Sequence, residues 1–232
     1  MLLQILTYTH HLTTMLFGIF LSAFFLGVKQ NKKNVCILLG GGAVSGLFFL
    51  ICNTVFGSLF TEAVYPIFVH LPLFLLLVFY YRFRWLPSII SIMTAYLCCQ
   101  FSNWAGIFAL SLSGLDWIYY LVRIIVTVAV FAFLSRYLCQ TTALLFAKSD
   151  RELYILGAMP FVYYVFDYST TKFSMLLYSG NKVVVEFLAF AMCISYVIFL
   201  FVYFQEYELK NRAEQYGQLT NMQLNSLHSE IE

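Results

Sequence analysis

Long apolar runs separated by short polar connections fill most of the chain. Seven of these runs have about the length that a membrane-spanning helix needs, which is about 20 residues. We expect the spans at Leu12 to Val28, Val35 to Val55, Ala63 to Tyr81, Leu86 to Phe108, Trp117 to Leu138, Leu153 to Tyr168 and Val183 to Phe204. The pattern predicts an all-α fold, a polytopic membrane bundle of about seven transmembrane helices.

Prolines and glycines refine this prediction. Pro87 lies just inside the fourth span, where its missing N–H is harmless, whereas Pro72 and Pro160 fall within the third and sixth spans and predict a kink or a break. Gly42 and Gly46 form a GxxxG pair in the second span, which predicts close packing against another helix.

The last apolar run passes into a charged tail without a proline or a glycine at the change. Val183 to Phe204 is followed directly by Gln205-Glu206-Tyr207-Glu208. A helix that leaves the bilayer keeps its backbone hydrogen bonds, so one unbroken helix is the simplest prediction. We therefore expect residues 1–204 to form a transmembrane domain that receives an input, and residues 205–232 to form a helix in water that carries the output.

The tail carries a heptad-like apolar face. Its members are Leu209, Ala213, Tyr216, Thr220, Leu224, Leu227 and Ile231. The spacing contains one extra step of four between Thr220 and Leu224, a stutter that locally unwinds a coiled coil. We predict a homodimeric coiled coil, and a solvated charged helix that frays is the alternative. No capping signal precedes Glu232, so we expect the helix to continue into a longer protein.

Composition indicates an integral membrane protein, and charge predicts its orientation. Hydrophobic residues make up 62% of the chain and charged residues 10%, far from a soluble mixture. Of the 13 Lys and Arg residues, ten lie in connections on one side of the predicted bundle. That side is cytoplasmic by the positive-inside rule, so the N-terminus is predicted outside and the C-terminus inside. A formal net charge of +2 does not indicate a nucleic-acid partner.

No motif for metal binding or catalysis is recognisable. The six cysteines lie in or beside apolar runs without metal-ligand spacing, which favours buried thiols over disulfides or metal sites. No loop carries a Ser-His-Asp, Cys-His or paired-carboxylate arrangement. We therefore expect no metal, no cofactor and no catalytic residue in this chain.

Five polar residues are predicted at a similar depth near the outer ends of the spans. Ionisable side chains within a membrane are costly and indicate a site by default. The five residues are His70, Asn103, Arg123, Asp167 and Glu186. We expect them to line an outward-facing pocket for a small peptide or amphiphile, with Arg123 paired to Asp167 or Glu186. The alternative is that Arg123 snorkels to the surface and that the carboxylates are merely interfacial.

Two stretches carry a resemblance to a known family. A polytopic membrane region that includes Tyr65-Pro66-Ile67-Phe68-Val69-His70-Leu71-Pro72 leads into a helix that reads Glu208-Leu209-Lys210-Asn211-Arg212-Ala213-Glu214-Gln215-Tyr216. This layout resembles the membrane sensor region of the GHKL-type, AgrC-like sensor histidine kinases of Gram-positive bacteria. The phosphoacceptor motif and the nucleotide-binding boxes of that family have no counterpart in residues 1–232.

The resemblance implies a role in quorum sensing through a two-component system. It implies a homodimer that detects an extracellular peptide or small ligand, and a downstream kinase domain that would bind ATP and Mg²⁺ and act on a response regulator. In that mechanism the ligand shifts the packing of spans three to seven, and the seventh span rotates or slides. A small membrane transporter or substrate-binding membrane component is the alternative function, and a scaffold whose tail recruits a partner coiled coil is a third.

Overall fold

The chain is helical throughout its described part, which confirms the all-α prediction. The computed structural model describes residues 2–57, 64–173 and 182–231. Within these ranges, only the backbone is described for residues 65, 151, 168–173, 182–186 and 224–231. These ranges contain no strand. Their elements are α1 Leu2–Phe25, α2 Lys32–Phe56, α3 Tyr65–Phe68, α4 His70–Leu75, a π-helical turn Leu76–Tyr80, α5 Trp85–Cys98, α6 Gln100–Ser113, α7 Asp116–Tyr137, α8 Cys139–Phe146, α9 Asp150–Phe173 and α10 Lys182–Ile231.

Four segments of the described chain are long and apolar enough to cross a membrane. They are Lys32–Phe56, Trp85–Ser113, Asp116–Tyr137 and Phe187–Gln223, and Pro66–Tyr80 is a shorter apolar segment. These segments support a membrane protein. The expected count of seven spans and their orientation across the bilayer remain predictions.

Several helix ends differ from the predicted spans. Helix α1 starts at Leu2, well before Leu12, and the Thr7, Thr9 and Thr13 hydroxyls donate to carbonyls four residues earlier. Such local hydrogen bonds satisfy the threonine hydroxyls within the helix, so these polar residues do not end the helix. The predicted fourth span is divided into α5 and α6, which meet at Cys99.

The prolines act in different ways. The third span is broken as predicted: α3 ends at Phe68, and α4 begins at His70 with Pro72 as its third residue. Pro72 has no N–H to donate to the carbonyl four residues earlier, which accounts for a break at this place. Pro160, in contrast, lies inside α9 without breaking it. Membrane helices tolerate an internal proline because neighbouring groups satisfy the freed carbonyl.

Helix α1 has several neighbouring helices in the first unit. It packs against α2, α5, α7 and α8. Phe17, Phe20 and Phe24 contact the Phe131 ring of α7 at centroid distances of 6.2, 6.4 and 6.1 Å. A buried Ser91 hydroxyl on α5 donates to the Ser22 carbonyl at 2.5 Å. A polar bond of this kind fixes the neighbouring helices where apolar packing alone does not.

The GxxxG pair makes the predicted close contact. A Cβ atom on Gly42 would lie 3.0 Å from Ile19 Cδ1, and one on Gly46 would lie 3.6 Å from Met15 Cε. The two glycines therefore let α2 approach α1 closely, as in other small-xxx-small interfaces.

The connections after the first, third and fifth predicted spans meet at one end of the bundle. Arg84 pairs with Asp150 at 2.9 Å and donates to the Lys148 carbonyl at 2.5 Å. The Tyr81 hydroxyl is 3.5 Å from Asn34 Oδ1. Three of the four basic connections used to assign the cytoplasmic side are therefore neighbours in the first unit.

Two compact units divide the chain, residues 1–196 and residues 197–232. In the second unit the predicted seam is open to solvent: Leu209 is 67% exposed and Tyr216 is 70% exposed, and Ala213 and Thr220 are exposed as well. The side chains of Leu224, Leu227 and Ile231 lie outside the described residues. The coiled coil remains a prediction.

Gly157 permits the contact between α9 and α5, and its replacement should be costly. A Cβ atom there would lie 2.6 Å from Ile90 Cγ1 and 2.7 Å from Ile90 Cδ1. We expect Gly157→Ala to lower the unfolding free energy by about 1–3 kcal/mol, as overpacking of a core does, measured by thermal unfolding in detergent micelles.

The control is Gly40→Ala in α2, where a Cβ atom meets nothing within 4 Å. It should be neutral or stabilising, because alanine favours a helix by about 1 kcal/mol over glycine. The double variant Gly157→Ala/Ile90→Ala should lose less stability than the sum of its two single variants, because truncation of Ile90 leaves room for the new Cβ atom. Equal melting temperatures for Gly157→Ala and Gly40→Ala would contradict the contact between α5 and α9.

Candidate functional site

A histidine and a tyrosine from distant parts of the chain meet inside the first unit. His70 is the first residue of α4, after the break that precedes Pro72. Its Nδ1 lies 2.8 Å from the Tyr164 hydroxyl of α9, and the two rings are 5.5 Å apart. The helix break therefore brings a titratable side chain to the beginning of a helix inside the bundle.

A second polar pair extends this contact. The Tyr96 hydroxyl of α5 donates to Asp167 Oδ2 of α9 at 2.5 Å. The Tyr96 ring lies 5.0 Å from the Tyr164 ring and 5.7 Å, edge to face, from the His70 ring. We call these four residues, His70, Tyr164, Tyr96 and Asp167, the His70–Asp167 network. It joins α4, α5 and α9 by charged or polar contacts within an apolar bundle.

A cleft adjoins the network. It has a volume of about 330 Å³, and its walls include His70, Phe74, Ile92, Met93 and Tyr164. This volume is at the small end of the range for ligand sites, and such sites combine apolar walls with a few polar groups. The lining suits one apolar group, such as a branched or aromatic side chain, next to a group that hydrogen-bonds to an imidazole or a phenol.

The predicted pocket residues fall into separate places. His70 and Asp167 belong to one network, joined through two tyrosines. Arg123 on α7 instead donates to the Tyr119 hydroxyl, four residues earlier on its own helix. Asn103 on α6 donates to Gln100 Oε1 at 3.2 Å. The side chain of Glu186 lies outside the described residues.

Arg123 forms no ion pair with Asp167, and its other expected partner, Glu186, has a side chain outside the described residues. The Asp167 carboxylate accepts from Tyr96, and no ion pair of the described residues includes Arg123. Similar depth in the membrane did not make them partners, because Arg123 is on α7 and Asp167 is on α9, which packs on α5.

The beginning of α10 packs against α6 and against α9, the helix that carries two residues of the network. The Phe190 ring stacks on Trp104 of α6 at 4.5 Å and contacts Phe101 at 5.8 Å. The Tyr196 hydroxyl donates to the Leu156 carbonyl of α9 at 2.9 Å, and the Tyr196 side chain is buried. Helix α9 thus carries two network residues and an attachment point for α10.

Tyr96 and Tyr164 were missed in the sequence. Each lies in an apolar run, where a tyrosine is easily interpreted as part of the aromatic belt. Tyr164 precedes Asp167 by three residues, so the two share a helix face. That spacing was the available signal for Tyr164, whereas the contact of Tyr96 depends on the packing of α5 against α9.

Comparison with known proteins identifies no relative: no family model matches, and neither a curated protein nor a solved structure is significantly similar. Within the described residues, no group of three or more His, Cys, Asp or Glu side chains could hold a metal ion. The contacts observed within the network are hydrogen bonds and aromatic ring contacts.

The bond from Tyr96 to Asp167 should contribute measurably to stability. We expect Tyr96→Phe to reduce the unfolding free energy by about 0.5–2 kcal/mol, because Asp167 loses a donor in an apolar environment. Unfolding in detergent micelles measures this. The control is Tyr154→Phe on the same helix as Asp167, since the Tyr154 side chain is 60% exposed. Equal stability of the two variants would show that the bond contributes nothing.

Proposed function

We propose that the chain is the signal-sensing transmembrane region of a two-component sensor histidine kinase. The observation that carries this proposal is that α9 bears Tyr164 and Asp167 of the network and also the Leu156 carbonyl that holds Tyr196 of α10. A ligand that moves α9 therefore acts on the helix that leads to the C-terminus. The kinase module would follow residue 232 in the whole protein.

The ligand of this proposal is an extracellular peptide or a similar amphiphile. The cleft beside the network accepts one apolar side chain, and the His70 imidazole and the Tyr164 hydroxyl offer hydrogen bonds at its wall. A peptide provides both groups, a side chain and a neighbouring backbone amide. Binding would compete with the bond between His70 and Tyr164 and thereby loosen α4 from α9.

The output of the proposal is a change in α10. This helix extends over 50 residues, Lys182–Ile231. Its early part is attached by Phe190 and Tyr196, and its later part bears the exposed apolar face that is predicted to pair in a dimer. A two-state element biased by ligand needs only a few kcal/mol between its states. The free energy of the hydrogen bond from Tyr196 to the Leu156 carbonyl has the size that such a change of state needs.

A small transporter is the second candidate, favoured by the polar network between membrane helices. Polar and ionisable groups of this kind also line the substrate paths of transporters. The cytoplasmic part of α10 discriminates between the two functions. A transporter does not need residues 205–232, so their deletion should preserve uptake, whereas it should abolish signalling.

Insertions at the start of the cytoplasmic helix test the relay. Residues 1–232 would be fused, in heptad register, to the dimerisation and catalytic domains of a sensor kinase with a measurable output. We expect insertion of one to seven residues after Phe204 to change autophosphorylation with the period of the helix, because each residue rotates the output by about 100°.

The same insertions placed in an unstructured linker behind the kinase domain are the control and should have no effect. A kinase activity that ignores the length of the insert after Phe204 would contradict the relay.

Tyr196→Phe tests the attachment of α10 to α9. In the same fusion we expect the basal kinase activity to change by about fivefold, the effect of about 1 kcal/mol on a two-state equilibrium. Tyr154→Phe, an exposed tyrosine of α9, is the matched control and should leave the activity unchanged. If both variants keep the activity of the unmodified fusion, the Leu156–Tyr196 bond has no part in signalling.

A further inference from the structure

Arg123 is a cation inside a candidate membrane span, and no hydrogen bond or ring contact of the described residues joins it to the His70–Asp167 network. It lies on α7, within the apolar segment Asp116–Tyr137. Its Nη1 donates to the Tyr119 hydroxyl, and its guanidinium lies 5.1 Å from the centre of the Tyr119 ring. Its Nε is buried and has no hydrogen-bond acceptor among the described residues.

Among the described residues, Arg123 forms no ion pair. The described ion pairs are Arg84–Asp150, Lys148–Glu152 and Arg212–Glu208. On α1, the buried His10 is within electrostatic range of Arg123 and offers it no negative charge. The His10 ring lies 5.8 Å from Tyr120 and is 4% exposed. A lone cation at membrane depth is costly, and an unsatisfied buried N–H adds to the cost.

The position of the guanidinium is set by a glycine. A Cβ atom on Gly106 of α6 would lie 2.8 Å from Arg123 Cδ and 3.1 Å from Tyr119 Cδ2. The arginine stem therefore occupies the space that the missing side chain leaves between α6 and α7. With Nη1 engaged by Tyr119, the free edge of the guanidinium consists of Nε and Nη2. That edge is the fork that binds two oxygens of a carboxylate or a phosphate.

We propose that Arg123, held by Tyr119 and Gly106, is a binding site for an oxyanion, a carboxylate or a phosphate group, that enters the bundle beside α1, α6 and α7. An oxyanion would satisfy the buried Nε and neutralise the cation in one contact. This site rests on the geometry around Arg123 and not on the signalling role proposed above. Its ligand would be either a free carboxylate or the phosphate of an anionic lipid.

The test uses the full chain in dodecylmaltoside micelles and follows its melting temperature. In one arm sodium acetate replaces sodium chloride at constant ionic strength; in the other arm dimyristoyl phosphatidylglycerol replaces dimyristoyl phosphatidylcholine in the micelle. We expect one of the two probes to raise the melting temperature in a saturable way. A rise in melting temperature with acetate alone would identify the ligand as a free carboxylate. A rise with phosphatidylglycerol alone would identify it as the phosphate of a lipid headgroup.

Three variants test whether the rise in melting temperature depends on the Nε and Nη2 edge of the Arg123 guanidinium. Arg123→Lys keeps the charge but loses the two-pronged edge, so we expect at least about tenfold weaker apparent affinity for the active probe. Gly106→Ala displaces the arginine stem and should weaken binding in the same direction. Arg136→Gln removes the other arginine of α7, near the far end of the helix, and should leave the probe effect unchanged.

The outcomes are separable. A probe effect that is lost in Arg123→Lys and Gly106→Ala but kept in Arg136→Gln supports the site. No probe effect on the unmodified chain, or an effect that persists in both site variants, overturns it. If Arg123→Lys does not fold, Gly106→Ala decides, because it leaves every charge in place.

Discussion

The bundle depends on a constraint that acts on polar groups in an apolar environment. Helices in lipid gain little from burying one another's apolar side chains, because lipid is equally apolar. Polar groups, in contrast, must find partners inside the protein. Ser91 binds the Ser22 carbonyl, Tyr96 binds Asp167, and Tyr196 binds the Leu156 carbonyl. Each bond joins two helices, so these few contacts specify which helices are neighbours.

Glycines complement these bonds by setting the distances between helices. Gly42 admits Ile19 of α1, Gly157 admits Ile90 of α5, and Gly106 admits the stem of Arg123. At each place a side chain from the neighbouring helix uses the space of the missing Cβ. Close approach strengthens dispersion contacts and lets short polar side chains reach across. The polar bonds and the glycines therefore act together in defining the first unit.

The two polar centres of the first unit differ in their electrostatics. In the His70–Asp167 network a carboxylate already accepts a hydrogen bond from a tyrosine, so its polar groups have partners. Around Arg123 the donors exceed the acceptors, because the Tyr119 hydroxyl is the one group of the described residues that accepts from the guanidinium. A centre with matched groups stabilises the contact between helices. A centre with an excess of donors attracts an anion, so the two sites differ in the kind of group that they can bind.

The sequence by itself determined the helical class, the membrane character, the break near Pro72 and the close contact of Gly42 and Gly46. These properties follow from apolar length, from a missing N–H and from a missing side chain, all of which are local. Only the tertiary structure decided that His70 and Asp167 share a network through Tyr164 and Tyr96, and that Arg123 stands apart from it. The order of residues along a helix gives their depth, but partners are set by which helices pack together, and that depends on contacts between residues far apart in the chain.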